Sequence, residues 1–400
     1  MSPLRPLADA LAALLDSVVD PPGVETVALG RACGRILAAD LVAIRDVPPT
    51  DNSAMDGYAL RAADAGRSLP VAQRIAAGDE AAPLAAGTVA RIFTGAPLPA
   101  GADAVVMQED CLADGDHVQL PAAVEPGAHL RRRGQDCALG ERLLRAGRRL
   151  RPQDIGLAAS QGYAGLEVHR RLRVALISTG SELRLPGEGE PAPGQIYNSN
   201  GPMLSALLDA LCCEVVDMGI VADDREATGR ALEDAAAADV IVSSGGVSVG
   251  EADHVREQVA ARGAIDLWRI AIKPGKPFAF GHVGATPFLG LPGNPSSALV
   301  TFLVLARPYL CALQGRREPA APALPVRADF KLPEAGSRAE FLRASLERRG
   351  DELWALPYVN QSSGVLSSVC ASNALVLVPP GTTVERGMLL DAWPLDTLLA

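Results

Sequence analysis

The stretch RVALISTG, residues 173–180, holds the apolar run Val174–Ile177 and ends in glycine. With no polar alternation it reads as a strand buried on both faces, the kind a parallel sheet uses. The pattern then repeats. SNGPMLSALLDALC (199–212) predicts a helix with Asn200 as its cap and Pro202 in its first turn; EVVDMGIV (214–221) predicts a strand, DREATGRALEDAAAA (224–238) a helix, and DVIVSSGG (239–246) a third strand. Strand and helix alternating at this spacing predict a three-layer α/β/α domain that binds ligands at the carboxyl ends of its strands.

Those ends carry two glycine-rich loops. SSGGVSVGEADH (243–254) opens as an anion cradle, with Ser243, Gly245, Gly246, Ser248 and Gly250 able to bring backbone N–H groups to a phosphate. LPGNPSSA (291–298) is a rigid turn between Pro292 and Pro295 that leads into a long helix capped by Asn294. Neither loop has the spacing of a nucleoside-triphosphate P-loop or of the dinucleotide fingerprint. IKPGKPFAFG (272–281) adds Lys273 and Lys276, with Arg269 just upstream, as a positive field; taken singly, each is an ordinary surface cation. Glu251 and Asp253 repel a phosphate unless a divalent metal stands between. Magnesium, which takes one or two carboxylates together with substrate phosphates, makes the loop sensible. Asp223, Asp224 and Glu182 are further acids at strand ends, and one of the aspartates is expected to cap the helix that follows.

Outward from this core the texture changes. PLADALAALLDSVV (6–19) predicts an amphipathic helix, and ETVALGRACGRILAADLVA (25–43) a second. Residues 47–141 break into short apolar runs separated by Gly and Pro, which predicts an inserted β-rich domain. Residues 142–170 return to a helical pattern and are grouped with 1–46; the α/β domain spans 171–318, and 319–400 predicts a small β domain. In the insert, PPTDNSAMDGYAL (48–60) reads as a capping box, and Arg131, Arg132 and Arg133 as either a solvated run or an anion attractor.

Composition sets limits. With 37 basic and 47 acidic side chains the net charge is −10, which disfavours a general nucleic-acid binder. The 7 cysteines are scattered and the 5 histidines lack metal-ligand spacing, so core cysteines in a reducing compartment are expected. The longest apolar stretch, 296–310, contains Arg307 and is short of a bilayer span; a cytoplasmic location with no membrane contact is the default.

Taken together, DNSAMDGYA, IFTGAP, ADAVVMQED, RRRGQD, STGSEL, GQIYNSN, SSGGVSVGEADH, IKPGKPFAFG and LPGNPSSA resemble, in order and over nearly the whole chain, the signature segments of the molybdopterin molybdenumtransferase family, which includes MoeA and the gephyrin E domain. The resemblance implies a multidomain α/β protein with a central domain of the molybdopterin-binding fold, an inserted β-rich domain and a C-terminal β-barrel-like domain. It implies an enzyme that takes molybdate and adenylylated molybdopterin, hydrolyses the adenylate with Mg²⁺, and releases AMP and molybdenum cofactor. By motif it assigns Asp56, Thr94, Asp136, Glu182, Asp253 and Lys273 to the site, with Pro292 and Pro295 as turn prolines and Ser367 in GVLSS as a C-terminal contact. Arg269 stands where the family often has lysine, exchanging a point charge for a fork. A homodimer is implied, with the cleft between the central domain of one subunit and the insert of the other, and transient contact with the molybdopterin adenylyltransferase and with acceptor enzymes. Two rivals are a nucleotidyltransferase sharing the central motif, disfavoured by the flanking β domains, and a gephyrin-like scaffold, which would require a linker and fused domain that this sequence does not contain.

Overall fold

A computed structural model gives the fold and describes residues 4–246 and 254–399. At its centre is a six-stranded sheet in the order 214–221, 173–179, 240–244, 286–291, 277–283, 263–269. The first four strands are parallel, and the last two are antiparallel additions. Period-two alternation sends neighbouring side chains of one strand to opposite layers. Val174 and Leu176 pack with Leu204, Leu208 and Phe302, whereas Ala175 and Ile177 pack with Leu232, Val255 and Val259. Helices therefore cover both faces, as the alternating sequence predicts.

The helix after the LPGNP turn continues from Pro295 to Leu313, 19 residues with a mean hydropathy of 1.6 in its most apolar window, of which 89% is buried. By length and apolarity it passes as a membrane span, contrary to the expectation of a run that is too short; its burial makes it the central core helix. Pro308 has no N–H for the carbonyl of Val304, and the helix widens into a π turn at Phe302–Ala306 immediately before it.

The C-terminal residues close a barrel. Strands Ala339–Arg349, Glu352–Pro357, Leu324–Ala328, Leu389–Pro394 and Ala374–Val378 pair in that order, and the last pairs again with the first. The short strand Ile272–Lys273, from the central loop, runs parallel to Ala339–Glu340 and fastens the barrel to the central part.

The insert forms its own six-stranded sheet over two cores drawn entirely from insert residues. Its stem departs from expectation. Residues 25–43 are not a helix: Val24–Ala28 is a strand paired with Gly165–His169, and Leu41–Val42 pairs with Arg142–Leu144. Of residues 142–170 only Pro152–Ser160 is helical. The first helix, Leu7–Asp16, does not join this ribbon; Ala10 and Leu14 enter the core of the central sheet, and Arg5 exchanges backbone hydrogen bonds with Arg269 and Ala271. PPTDNSAMDGYAL holds no helix either. Its polar residues form a turn, with Ser53 Oγ 2.5 Å from Met55 O, between strands Asn52–Ser53 and Gly57–Leu60.

Candidate functional site

Three loops meet at the carboxyl edge of the central sheet. Gly245 and Gly246 both have positive φ (91° and 65°), and a Cβ on Gly245 would lie 2.7 Å from the carbonyl of Thr179. Only glycine allows the third strand to turn so closely beside the first. Gly245 N–H donates to Leu291 O at 3.1 Å, which brings the Pro292–Asn294 turn alongside. Asn200 braces both loops: its Nδ2 donates to Ser244 Oγ (2.9 Å) and Gly293 O (2.7 Å). The expected cap is therefore a bridge, and the helix begins after Ser199 with no side-chain cap. Asn198 does the same for its neighbours, donating to Ser178 Oγ and accepting from Gly201 N–H.

Two buried polar atoms facing this region, Thr179 Oγ1 and Asn200 Oδ1, have no hydrogen-bond partner among the described residues. Buried polar groups are nearly always paired. Both lie beside the two glycine turns, where they are open to accept or donate to a polar group. Ser243 is buried at the strand end, with its Oγ 3.3 Å from Gly245 O. Ser248, Gly250 and Asp253 lie outside the described residues.

The IKPGK loop packs on the same helix start. Gly275, at φ 106°, would place a Cβ 2.2 Å from Thr301 Oγ1. Lys273 is exposed, and its Nζ is 2.8 Å from Glu340 Oε1 on the barrel; Lys276 is exposed beside it. Arg338 Nη1 donates to Ile272 O at 3.2 Å. Arg269 stands at the end of its edge strand, its carbonyl accepting from Arg5 N–H.

A barrel segment completes the wall. Ser363 O accepts from Ser296 N–H (3.0 Å), Ser363 Oγ from Asn294 Nδ2 (3.2 Å), and Val365 O from Ser296 Oγ (2.8 Å). Asn294 thus reaches across to the barrel instead of capping its own helix. Arg343, 1% exposed, holds the segment from within by donating to Ser362 O and Ser368 Oγ. Ser367 itself is exposed at the start of a short helix; the serines making side-chain contacts are Ser363 and Ser368. Arg338, Glu340, Arg343 and Ser363 were not singled out in the sequence, although SRAEFLR shows the signal in retrospect: charges at every second or third position of a strand.

The acids divide by role. Asp224 Oδ1 accepts from Glu226 and Ala227 N–H as a helix cap, and those backbone donors hold its carboxyl below the usual range. Asp223 is exposed beside it, two residues past a strand whose end pairs with Thr179. Glu182 folds back over Gly180, where a Cβ would be 2.5 Å from its Oε2. Glu182 and Asp223 are open oxygen donors of the kind magnesium takes. No three His, Cys, Asp or Glu cluster into a cage among the described residues, and magnesium, which keeps waters and leans on phosphates, needs none.

In the insert, Asp56 and Thr94 come together: Thr94 N–H and Oγ1 both lie 2.8 Å from Asp56 Oδ1. The backbone donor first, then the hydroxyl and the nearby Arg91, hold Asp56 below the ordinary carboxyl range. Asp136 is exposed beyond the arginine run, with its N–H bound to Val47 O. Arg132 and Arg133 are tied to Asp51 and Asp46 at 2.7 and 2.6 Å, so those two brace the insert's stem. Among the described residues no backbone hydrogen bond joins residues 47–141 to the central sheet.

Comparison with known proteins follows this layout. Residues 5–162 match the MoeA N-terminal region (domain I and II), 175–312 the probable molybdopterin binding domain, and 325–395 the MoeA C-terminal region (domain IV). The chain is 37% identical to the molybdopterin molybdenumtransferase of Haemophilus influenzae over 98% of this chain and 99% of that one. It is 38% identical to molybdopterin molybdenumtransferase 2 of Mycobacterium tuberculosis over 92% and 95%. The molybdopterin biosynthesis MoeA protein of Pyrococcus horikoshii superposes with a TM-score of 0.84 at 29% identity, covering 98% of this chain and 99% of that structure.

Proposed function

The chain belongs to the molybdopterin molybdenumtransferase family, an enzyme family of molybdenum cofactor biosynthesis, and from that premise we propose that it moves molybdenum from molybdate into adenylylated molybdopterin with Mg²⁺-dependent hydrolysis of the adenylate, giving cofactor and AMP. The observation that carries this reading is the cradle itself. Two glycine turns are pinned side by side by Asn200, with the buried Thr179 Oγ1 and Asn200 Oδ1 lacking partners among the described residues and Lys273 and Lys276 at the rim.

The backbone N–H groups of the cradle would receive the substrate's phosphate, and Lys273 and Lys276 would stabilise charge that builds on phosphorus as water attacks. Molybdate, itself an oxyanion, suits the same cations. Magnesium held by Glu182, Asp223 and Asp253 together with substrate phosphates would neutralise the phosphoanhydride. Asp56, kept ionised by Thr94, and Asp136 belong to the insert. With no backbone tie between insert and central sheet among the described residues, we assign them to the partner subunit's cleft in a cytoplasmic homodimer, which would meet the adenylyltransferase and acceptor enzymes transiently.

Purified protein given adenylylated molybdopterin, molybdate and Mg²⁺ is expected to release AMP and form cofactor, and to lose both in Lys273→Ala or after magnesium chelation. An AMP yield of zero where a family enzyme releases it would sink the adenylate chemistry. Mixing Asp56→Ala with Lys273→Ala subunits should restore part of the activity; no recovery from a confirmed heterodimer would place Asp56 outside the shared site.

A further inference from the structure

Arg91 stands in the insert strand Val89–Ile92, opposite Tyr58 on one neighbouring strand and in register with Arg74 on the other. Like charges side by side on adjacent strands destabilise a sheet, so stability alone does not select that pair. Phe93, two positions on and therefore on the same face, takes both guanidiniums: Arg74 lies 4.5 Å from its ring centre and Arg91 4.7 Å. The Arg91 guanidinium is also 5.2 Å from the centre of the Tyr58 ring.

The fork of Arg91 has two polar partners, and each leads to Asp56. Nη1 donates to Gly57 O at 2.8 Å, one residue beyond the carboxylate. Gly57 lies flush against the next strand, where a Cβ would fall 1.7 Å from Val106 O. Nη2 donates to Gln108 Oε1, and Gln108 N–H in turn donates to Asp56 O at 3.1 Å. The ring contact leads to the same place, since Phe93 is followed by Thr94, whose N–H and Oγ1 both reach Asp56 Oδ1. One half-buried guanidinium thus bears on the residue after Asp56, on the donor to its carbonyl and on the neighbour of the donor to its carboxylate. A lysine in its place would supply the charge without the forked contacts or the stack.

We propose that Arg91 is a positioning residue for Asp56: its fork and its stack fix the direction of that carboxylate towards the ligand in the cleft, without Arg91 itself touching the reacting atoms. The proposal rests on the reading that Asp56 serves the shared cleft.

The test separates position from charge, because Arg91→Lys keeps the charge and loses the fork, whereas Arg91→Met loses both. A thermal melt checks that each variant is folded. The first readout needs no turnover: the Asp56 carboxyl is titrated by NMR in the full chain, identified by the signal missing from Asp56→Asn. Thr94 N–H first, then the Thr94 hydroxyl and last the field of Arg91 hold this group low against desolvation. Glu109, bound to Gln108 Nε2 at 3.1 Å, and Arg74 are further charges on the adjoining elements and stay the same in every variant. Expected is a midpoint that rises towards the ordinary 3.8 in both variants, since loss of the fork loosens the Thr94 bonds in each. Titration of Arg91→Lys at the wild-type midpoint reduces Arg91 to a field and overturns the positioning role. The second readout is kcat/KM, expected to fall about tenfold or more in both variants and to show no further fall when either is added to Asp56→Asn. A further fall on the Asp56→Asn background means that Arg91 acts elsewhere and overturns the proposal. Full activity in Asp56→Asn itself would instead remove Asp56 from the cleft, while the titration still decides whether Arg91 sets its carboxylate.

Discussion

Lys273 Nζ lies 2.8 Å from Oε1 of Glu340, so a cation of the central loop is aimed by a carboxylate of the barrel. The lysine side chain is 48% exposed and the glutamate 18%. A pair that open to water adds at most about 1 kcal/mol to stability, so its value is in direction. Glu340→Gln is expected to leave the melting temperature nearly unchanged while lowering kcat/KM about tenfold, a loss of ~1.4 kcal/mol in transition-state stabilisation. Steady-state kinetics alongside a thermal melt check this; an unchanged kcat/KM would refute a positioning role.

Two glycines should respond in opposite senses to the same methyl group. At Gly275, φ is 106° and Thr301 Oγ1 waits 2.2 Å from the new Cβ. Gly275→Ala is therefore expected to destabilise by about 1–3 kcal/mol. Gly156 lies within the helix Pro152–Ser160, and a Cβ there meets nothing within 4 Å. Gly156→Ala should stabilise by about 0.5–1 kcal/mol. Urea unfolding of both variants decides it, and a stabilised Gly275→Ala would mean the loop is not clamped to the helix.

Asp154 gives the stability curve an acid limb. Burial raises its pKa, but hydrogen bonds from Arg148 and from the backbone and side chain of Arg151 outweigh that and leave it below its ordinary 3.8. A depressed folded pKa stabilises above the unfolded value and loses that contribution as pH falls through the folded one. Asp154→Asn should cost about 2–4 kcal/mol at pH 7. Its gap from wild type should narrow steadily once the pH drops below about 4, as measured by denaturant unfolding across the acid range. A gap independent of pH would remove the carboxylate's charge from the account.

Arg343 is expected to act through the segment it holds. Gln361 brackets its backbone, and its guanidinium reaches Ser362 and Ser368. In Arg343→Met the barrel core is retained, while hydrogen exchange across 358–368 should speed up at least tenfold and activity should fall with it. Fast exchange with full activity would show that the Ser363 contact to Asn294 is dispensable.

The sequence was most readable where burial and period coincide. RVALISTG and DVIVSS hold the short apolar runs VALI and VIV, with no polar alternation, that a two-sided strand explains, and they sit centrally in the sheet. Residues 25–43 misled because their strands are five residues or fewer and their partners lie a hundred or more positions away; Val24 pairs with His169. Asn200 and Asn294 stood at good capping positions, and local pattern cannot show that tertiary acceptors, Gly293 O and Ser363 Oγ, outbid the helix ends. The family motifs singled out Lys273 and the glycine loops, which the structure brings to neighbouring positions around the start of the core helix. Glu340, which steers Lys273, belongs to a different fold unit nearly seventy residues later, and no window on the sequence contains both.

The chain enters and leaves the insert through neighbouring strands: Leu41–Val42 lies against Arg142–Leu144, and Val47 N–H reaches Cys137 O at 2.8 Å. Its two ends are thus about one strand spacing apart, roughly 4.8 Å. For the host, the insert costs no more chain entropy than a hairpin turn, because its own cores have already closed the loop. It is a detachable cassette. Cutting between the paired strands and joining them with a few turn residues would leave the central sheet and barrel continuous, and a differently shaped insert could be docked onto the same stem without disturbing the registers beneath it.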